Sequence, residues 1–380
     1  MQEKQKKTIK SIIILMICAL ILPFVINTKA TDGGSSTMTT AELNSSGPFI
    51  AAFNGANNAT INIFPTSTSN SAHTYITASS QTSGIVPVLE SENGRTKIAI
   101  AGYIGWVESK ALTLISYKNA KSINHYMIND ANELIHRITT NPNNTSTSGI
   151  VQGKAPNYLS KGSQYLSFDG HYFYPNTENG LKTLIEDYRN GVRTRSVNPN
   201  TPFYNYFQWL PARAQTKLTN TDFRRYLDNN SNANTPFKSR LYEMETVFLE
   251  TGNAFGINPA LVFATAIHES GYGTSYLSKS RNNFFGHAAY DSSPGSANTY
   301  QTPEFGIRYH EARFMNWNYL DGTSGNVMYY GGFVGNKSLG MNVKYASDPY
   351  WGEKIAAHYY NMDKAAGTKD YDRYTIGIVN

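Results

Sequence analysis

The chain has 380 residues, of which 40% are hydrophobic, 13% aromatic and only 16% charged, and 27 are tyrosines. Sparse charge combined with many aromatic residues excludes a disordered chain and a coiled coil. The formal net charge is +6, but five lysines and one acid lie in residues 1–30. The remaining 28 basic and 26 acidic residues give only +2, which argues against a nucleic-acid-binding protein.

The first 30 residues have the organisation of a secretory signal peptide. A Lys-rich start precedes an apolar run over residues 11–26, and Thr28-Lys29-Ala30 supplies small residues where a signal peptidase cuts. The run is shorter than the ~20 apolar residues of a spanning helix, so we expect secretion, with an uncleaved membrane anchor as the alternative. The only cysteine, Cys18, lies in this segment, and a mature chain without cysteine is typical of a Gram-positive bacterium.

Residues 31–47 are rich in Gly, Ser and Thr and are predicted to be a flexible linker. Residues 48–116 then contain short strand-like runs separated by Asn and Gly turns, which predict a small all-β barrel. Residues 94–112 resemble the closing strands of bacterial Src-homology-3-like wall-binding domains. The resemblance implies that the chain binds the cell wall through residues 48–116. The alternative is that Tyr103 and Trp106 are ordinary core residues.

Residues 117–235 form a Tyr-rich region whose aromatic residues concentrate at 168–175 and 202–218. Two interpretations stay open for this accessory region. Its rings could bind substrate as stacking platforms for sugars, or they could pack on one another inside a small lobe.

Residues 236–366 change to a helical pattern, followed by a C-terminal tail over 367–380. Gly256 is placed to end one helix, and Asn258 with Pro259 is placed to begin the next. That second helix is nearly all apolar and therefore predicted to be buried, and Ser270-Gly271 ends it.

Glu269 lies in the last turn of this buried helix, directly before a Gly-rich loop. Burial raises the pKa of a carboxyl group because desolvation penalises the charged form. A glycosidic general acid needs such a shift, since it must hold a proton near neutral pH. The alternative is a surface glutamate, although its charge would oppose the helix dipole at that end.

Residues 269–275 and 283–286, Glu-Ser-Gly-Tyr-Gly-Thr-Ser and Asn-Phe-Phe-Gly, resemble the signature of glycoside hydrolase family 73. Members of this family are bacterial endo-β-N-acetylglucosaminidases that cut peptidoglycan glycan strands. Residues 300–309 and 344–350 also fit, so that the match covers roughly residues 237–365. The resemblance implies an α+β fold in which a lysozyme-like, mainly helical catalytic lobe follows the barrel and the Tyr-rich region. It implies no metal and no cofactor.

The resemblance also implies roles for individual residues. Glu269 would be the general acid, and Glu304, 35 residues further on, the second catalytic carboxylate, with Asp291 in reserve. The acetamido group of the substrate is the alternative nucleophile. Tyr345 would hydrogen-bond that acetamido group or the developing charge. The residues expected to bind substrate are Tyr272, Asn283, Phe285, Tyr300 and Tyr350.

Other chemistries fit less well. His268-Glu269 does not begin an HExxH zinc motif, because Tyr272 stands where the second histidine is needed. Neither Ser270 nor Ser275 lies in a G-x-S-x-G elbow. The remaining alternatives are a lytic transglycosylase or a muramidase acting on the same strand, and a non-catalytic wall-binding protein.

Overall fold

The computed structural model describes residues 38–54, 59–78, 84–288 and 297–376, which form antiparallel β-sheets followed by a helical C-terminal lobe. The predicted signal peptide and Asp291 lie outside these residues. Within the described ranges, no helix combines the length and the apolar character needed to cross a membrane. Strands in the N-terminal part and helices in the C-terminal part confirm the expected mixture of both element types.

The segment predicted as a flexible linker contains helix α1 (Thr40–Ser45). A capping box starts this helix: the Thr39 side chain accepts from the Glu42 amide, and the Glu42 carboxylate accepts from the Thr39 amide. Leu43 is buried in the core of the first sheet. The structure therefore differs from the linker expectation at residues 40–45, because a cap and one apolar anchor hold them.

Residues 49–116 supply seven strands: β1 (Phe49–Phe53), β2 (Ala59–Ile63), β3 (Thr74–Ala78), β4 (Val86–Glu92), β5 (Arg95–Ile100), β6 (Tyr103–Glu108) and β7 (Leu112–Ser116). Five of them pair antiparallel in the order β6-β5-β4-β1-β7, and β2 and β3 form a separate hairpin. A bridge between Phe64 and Trp106 connects this hairpin to β6. Alternation on β2 buries Ile61 and Ile63 and exposes Thr60 and Asn62.

Residues 125–175 form the second sheet from β8 (His125–Ile128), β9 (Glu133–Ile138), β10 (Ser148–Lys154), β11 (Tyr165–Leu166) and β12 (Tyr174–Pro175), in the order β10-β9-β8-β11-β12. Three short helices follow: α2 (Glu178–Arg189), α3 (Tyr206–Trp209) and α4 (Asn220–Asp228). Phe173, Tyr174 and Phe207 are fully buried. At these three positions the aromatic residues of the Tyr-rich region pack inside the protein.

The helical lobe contains α5 (Glu245–Phe255), α6 (Pro259–Ser270), α7 (Tyr276–Arg281), α8 (Pro303–Tyr309), a π-helix (His310–Tyr319) and α9 (Trp351–Ala365). The predicted ends of α6 are confirmed. The Asn258 side chain accepts from the Ala260 amide at 3.0 Å, and Gly271 ends the helix at φ +55°. All residues of α6 up to Ile267 are buried.

The second sheet fixes helix α9 through buried polar contacts. Glu353 Oε2 lies 2.8 Å from His136 Nδ1 and accepts a hydrogen bond from Gln152 Nε2 at 2.9 Å. Farther along the helix, Lys364 Nζ pairs with Glu133 Oε1 at 2.5 Å. Buried polar groups need hydrogen-bond partners, so the Glu353 contacts, with the more exposed Lys364 pair, position α9 against the sheet.

Glu311, in the π-helix, is fully buried, and neither of its carboxyl oxygens has a hydrogen-bond partner among the described residues. Burial raises the pKa of Glu311 well above its ordinary value, and the Arg308 charge lowers it by less. The folded protein therefore holds Glu311 in its neutral, protonated form.

Replacing this carboxyl should change how stability depends on pH. Because the folded pKa lies above the unfolded one, the stability associated with Glu311 is complete below the unfolded pKa. It is lost as pH rises through the folded value. We expect Glu311→Gln to have a larger free energy of unfolding than the wild type at pH 7–8. The difference should be about 1.4 kcal/mol for each unit by which the folded pKa is raised, and it should disappear near pH 4.

Urea unfolding at pH 4, 6 and 8 measures this gap. Glu250→Gln is the matched control, since Glu250 lies on α5 and its side chain is 63% exposed. A Glu311→Gln gap that stays constant over this pH range would contradict the assignment.

Candidate active site

Glu269 occupies the last turn of α6, where its half-buried carboxyl group meets the first residue of α9. The Trp351 indole Nε1 donates a hydrogen bond to Glu269 Oε1 at 2.7 Å. The indole ring itself is buried. This contact joins two residues that are 82 positions apart in the chain.

The surroundings of Glu269 set its protonation. Burial raises the pKa of Glu269 to about 7, because desolvation penalises the carboxylate. The Trp351 hydrogen bond opposes this effect, and among the charged neighbours Asp348 raises the pKa while Lys354 lowers it. The carboxyl group is thus poised to hold or release a proton near neutral pH.

Tyr345 joins Glu269 through the same indole. Its ring stacks on Trp351 with centroids 4.4 Å apart and planes 24° from parallel. The Tyr345 hydroxyl is buried and has no hydrogen-bond partner among the described residues. Burial first, and then the Glu269 charge, raise the pKa of Tyr345 well above its usual value, so the phenol stays protonated. The structure therefore brings these two predicted residues together.

Three neighbours of Glu269 were missed from sequence: Trp351, Asp348 and Lys354. Asp348 pairs with Lys354 and also accepts a hydrogen bond from the Tyr350 amide at 2.9 Å. Asp348 lies in the stretch 344–350 that carried the family resemblance, but nothing local indicates its ion pair. The pair joins a loop to the first turn of a helix and belongs to no periodic pattern.

Tyr272 lies in a cluster of half-buried rings beside Glu269, together with Tyr226, His268 and His358. The Tyr226 hydroxyl is 3.1 Å from His358 Nδ1 and 3.4 Å from the Tyr272 hydroxyl. His268 and His358 have ring centroids 5.8 Å apart. Burial lowers the pKa of His268 to about 4 and that of His358 to about 3, so both are uncharged at neutral pH. His268 directly precedes Glu269, so this uncharged pair of imidazoles begins next to it in the chain.

Glu304 lies in the first turn of α8, after the N-cap Thr302. A hydrogen bond with the Thr302 side chain is the largest cause that lowers the pKa of Glu304, and the charges of Arg240 and Arg308 also lower it. Glu304 is therefore an ionised carboxylate. Its charged neighbours differ from those of Glu269, which are Asp348 and Lys354.

The other four residues expected to bind substrate, Asn283, Phe285, Tyr300 and Tyr350, are all buried. Asn283 Nδ2 donates to the carbonyl oxygens of His287 and Asn298 at 3.0 and 3.1 Å.

The rings of this set also contact the interior. Phe285 stacks on His310 at 3.6 Å, the Tyr300 hydroxyl is 2.7 Å from His287 Nδ1, and the Tyr350 hydroxyl accepts from Asn124 Nδ2 at 2.7 Å. All four side chains therefore have partners within the protein, and contact of these residues with the glycan stays a prediction.

In the described ranges, no three His, Cys, Asp or Glu side chains gather as a metal-binding group. His287 and His310 do meet, with Nε2 of the first 2.9 Å from Nδ1 of the second, but they form a pair.

Two solved structures resemble parts of the chain. Autolysin E of S. aureus is 24% identical, with a TM-score of 0.34, over 45% of this chain and 77% of that one. A catalytic mutant of the same autolysin, solved in complex with the disaccharide NAG-NAM, is 21% identical, with a TM-score of 0.34, over 51% of this chain and 82% of that one.

Sequence comparisons give the closer relation. Two curated proteins of Streptococcus pneumoniae, each named "Putative endo-beta-N-acetylglucosaminidase", are 29% identical over 282 residues, which is 74% of this chain. The alignment covers 36% and 34% of those proteins, so the chain spans about a third of their length. Residues 245–364 match the Glucosaminidase family model, described as mannosyl-glycoprotein endo-beta-N-acetylglucosaminidase. The stretch from the start of α5 almost to the end of α9 is therefore a glucosaminidase domain, the domain of glycoside hydrolase family 73.

Proposed function

We propose that this protein hydrolyses peptidoglycan glycan strands at the β-1,4 bond between N-acetylglucosamine and N-acetylmuramic acid, on the reducing side of N-acetylglucosamine. The observation that carries the proposal is Glu269. Its carboxyl group is half-buried, its pKa is raised to about 7, and it lies inside the matched glucosaminidase domain. A carboxylic acid of this kind can still donate a proton at the pH of the cell surface.

In the proposed reaction, Glu269 protonates the oxygen of the leaving sugar while the bond to the anomeric carbon breaks. The Trp351 indole engages Oε1, so we assign the transferred proton to Oε2. After the first step the carboxylate is stabilised by the indole N–H and by Lys354. In a two-step, substrate-assisted reaction it then takes a proton from the incoming water, so that the acid is restored; in an inverting reaction the second carboxylate takes that proton and Glu269 is reprotonated from solvent.

The second catalytic group is proposed in two forms. In an inverting scheme Glu304 would activate water with the carboxyl groups about 6.5–9.5 Å apart, and Asp291 would be its reserve. In a substrate-assisted scheme the acetamido group attacks the anomeric carbon. One observation favours assistance: the Tyr345 hydroxyl lacks a hydrogen-bond partner among the described residues and could orient that group.

The remaining proposals concern location. Residues 1–30 would direct secretion, and residues 48–116, as a Src-homology-3-like barrel, would hold the enzyme on the wall of a Gram-positive cell. The antiparallel strands β1 to β7 and the bridge that joins the hairpin to β6 support a barrel-like module. A lysozyme-like lobe would then present Glu269 to the strand.

Glu269→Gln should lose between about a hundredfold and ten-thousandfold in kcat, because the amide cannot donate a proton but can still accept from Trp351. The assay follows the release of reducing ends from purified peptidoglycan. Mass spectrometry of the wild-type products should find N-acetylglucosamine at the new reducing ends. Glu250→Gln, on exposed α5 surface, should be as active as the wild type.

Three results would contradict the proposal. Wall clearance by Glu269→Gln at the wild-type rate would show that Glu269 is not the general acid. Anhydro-muramic ends would identify a lytic transglycosylase, and reducing N-acetylmuramic acid a muramidase.

The pH profile should follow protonation of Glu269. Since the acid must be protonated, kcat/KM should be full below the folded pKa and fall about tenfold per unit as pH rises beyond about 7. Lys354→Met removes a charge that lowers this pKa and should move the alkaline limb upward. Asp348→Asn removes a charge that raises it and should move the limb downward. Identical limbs in both variants would assign the limb to another group.

Glu304→Gln tests the second group. We expect it to retain wild-type kcat within a few-fold, and strands whose N-acetyl groups have been removed to resist cleavage by the wild type. Initial rates on intact and N-deacetylated strands measure both effects. A loss of about a hundredfold or more in Glu304→Gln would instead assign the base to Glu304.

A further inference from the structure

The β2–β3 hairpin contacts the loop that carries Tyr345 and Asp348, which we call the site loop (residues 337–348). Thr74 Oγ1 donates to the Val343 carbonyl at 2.7 Å, and the Tyr75 hydroxyl donates to the Lys344 carbonyl at 3.2 Å. In return, Lys344 Nζ donates to the His73 carbonyl at 2.8 Å. These bonds join residues about 270 positions apart in sequence.

Lys337, at the start of the site loop, is fully buried. Its Nζ donates to the carbonyl oxygens of Asn342 at 2.9 Å and Ala346 at 2.5 Å, and lies 5.3 Å from the centre of the Tyr75 ring. Its backbone amide donates to the Ala101 carbonyl at 2.9 Å. The lysine therefore closes the loop on itself and ties it to the first sheet.

A buried ammonium group is costly unless its donors are satisfied, so this arrangement needs a reason. Burial lowers the pKa of Lys337 to about 7, with Asp348 raising it and Lys344 lowering it by smaller amounts. The two carbonyls that Lys337 holds bracket Tyr345 in sequence. Whatever fixes these carbonyls also fixes the ring that stacks on Trp351.

We propose that Thr74, Tyr75 and Lys337 are positioning residues for the reaction at Glu269. They hold the site loop so that Tyr345 and Asp348 stay aligned with the Trp351–Glu269 pair. This inference rests on the proposed function. It gives the N-terminal hairpin a part in catalysis that is separate from any binding to the wall.

The three residues act on the site indirectly, through the backbone of the site loop. None of the three residues contacts Glu269 in the bonds described, but each bond ends on the backbone of residues 342–346. Displacing that backbone moves the Tyr345 ring and the Asp348–Lys354 pair together. A shift of about 1 Å in a catalytic array can cost about a hundredfold in rate. The effect should appear in kcat and leave KM nearly unchanged.

The test uses full-length protein and soluble, peptide-free glycan strands as substrate. Tyr75→Phe and Thr74→Val each remove one hydroxyl donor and keep the shape of the side chain. Lys337→Met removes the ammonium group. Tyr374→Phe is the matched control, because its hydroxyl donates to a backbone carbonyl, that of Gln215, at 3.1 Å and lies in the C-terminal tail.

We expect the double variant Thr74→Val/Tyr75→Phe, and Lys337→Met, to lose between about tenfold and about a hundredfold in kcat, with KM and the thermal midpoint close to those of Tyr374→Phe. If Lys337→Met does not fold, the hairpin double variant decides. Wild-type kcat in the hairpin variants, or a raised KM with unchanged kcat, would overturn the positioning role. If Glu269→Gln is inactive in the same assay, the proposed function still stands. An active Glu269→Gln would overturn both.

Discussion

The hydrogen bond from the Trp351 indole to Glu269 is the contact on which the other parts of the site depend. It places the end of the buried helix α6 against the start of α9 and keeps the Glu269 carboxyl group partly shielded from water. Desolvation there outweighs the hydrogen bond, so the acid keeps its proton up to a pKa of about 7. Everything that fixes α9 and the loop before it therefore also fixes the chemistry of one carboxyl group.

The β-sheets belong to this support. The second sheet holds α9 through Glu353, which lies two residues after Trp351 and contacts His136 and Gln152. The hairpin and Lys337 hold the site loop from the other side. A module that would be expected to act only as a wall anchor thus shares its hydrogen bonds with the glucosaminidase domain.

Local signals in the sequence were sufficient for α6 and for the position of Glu269. Asn258, Pro259 and Gly271 mark the helix ends by chemistry that acts within a few residues. Trp351, Asp348 and Lys337 had no such signal, since their partners lie far away or in irregular loops. Asn283 and Tyr300 are buried, and a sequence motif alone does not distinguish residues that touch a ligand from those that support them. The second sheet was not predicted; its last two strands, with two residues each, are too short to show an alternating pattern.

The bond between Thr74 and Val343 spans 269 residues of the chain. Contacts of such separation form late in folding, because loop-closure entropy must be spent before they contribute. A nascent or clipped chain that ends before residue 351 has α6 and Glu269 but lacks the indole and the held loop. If Glu269 is the general acid, as proposed, its site is complete only after synthesis has passed helix α9.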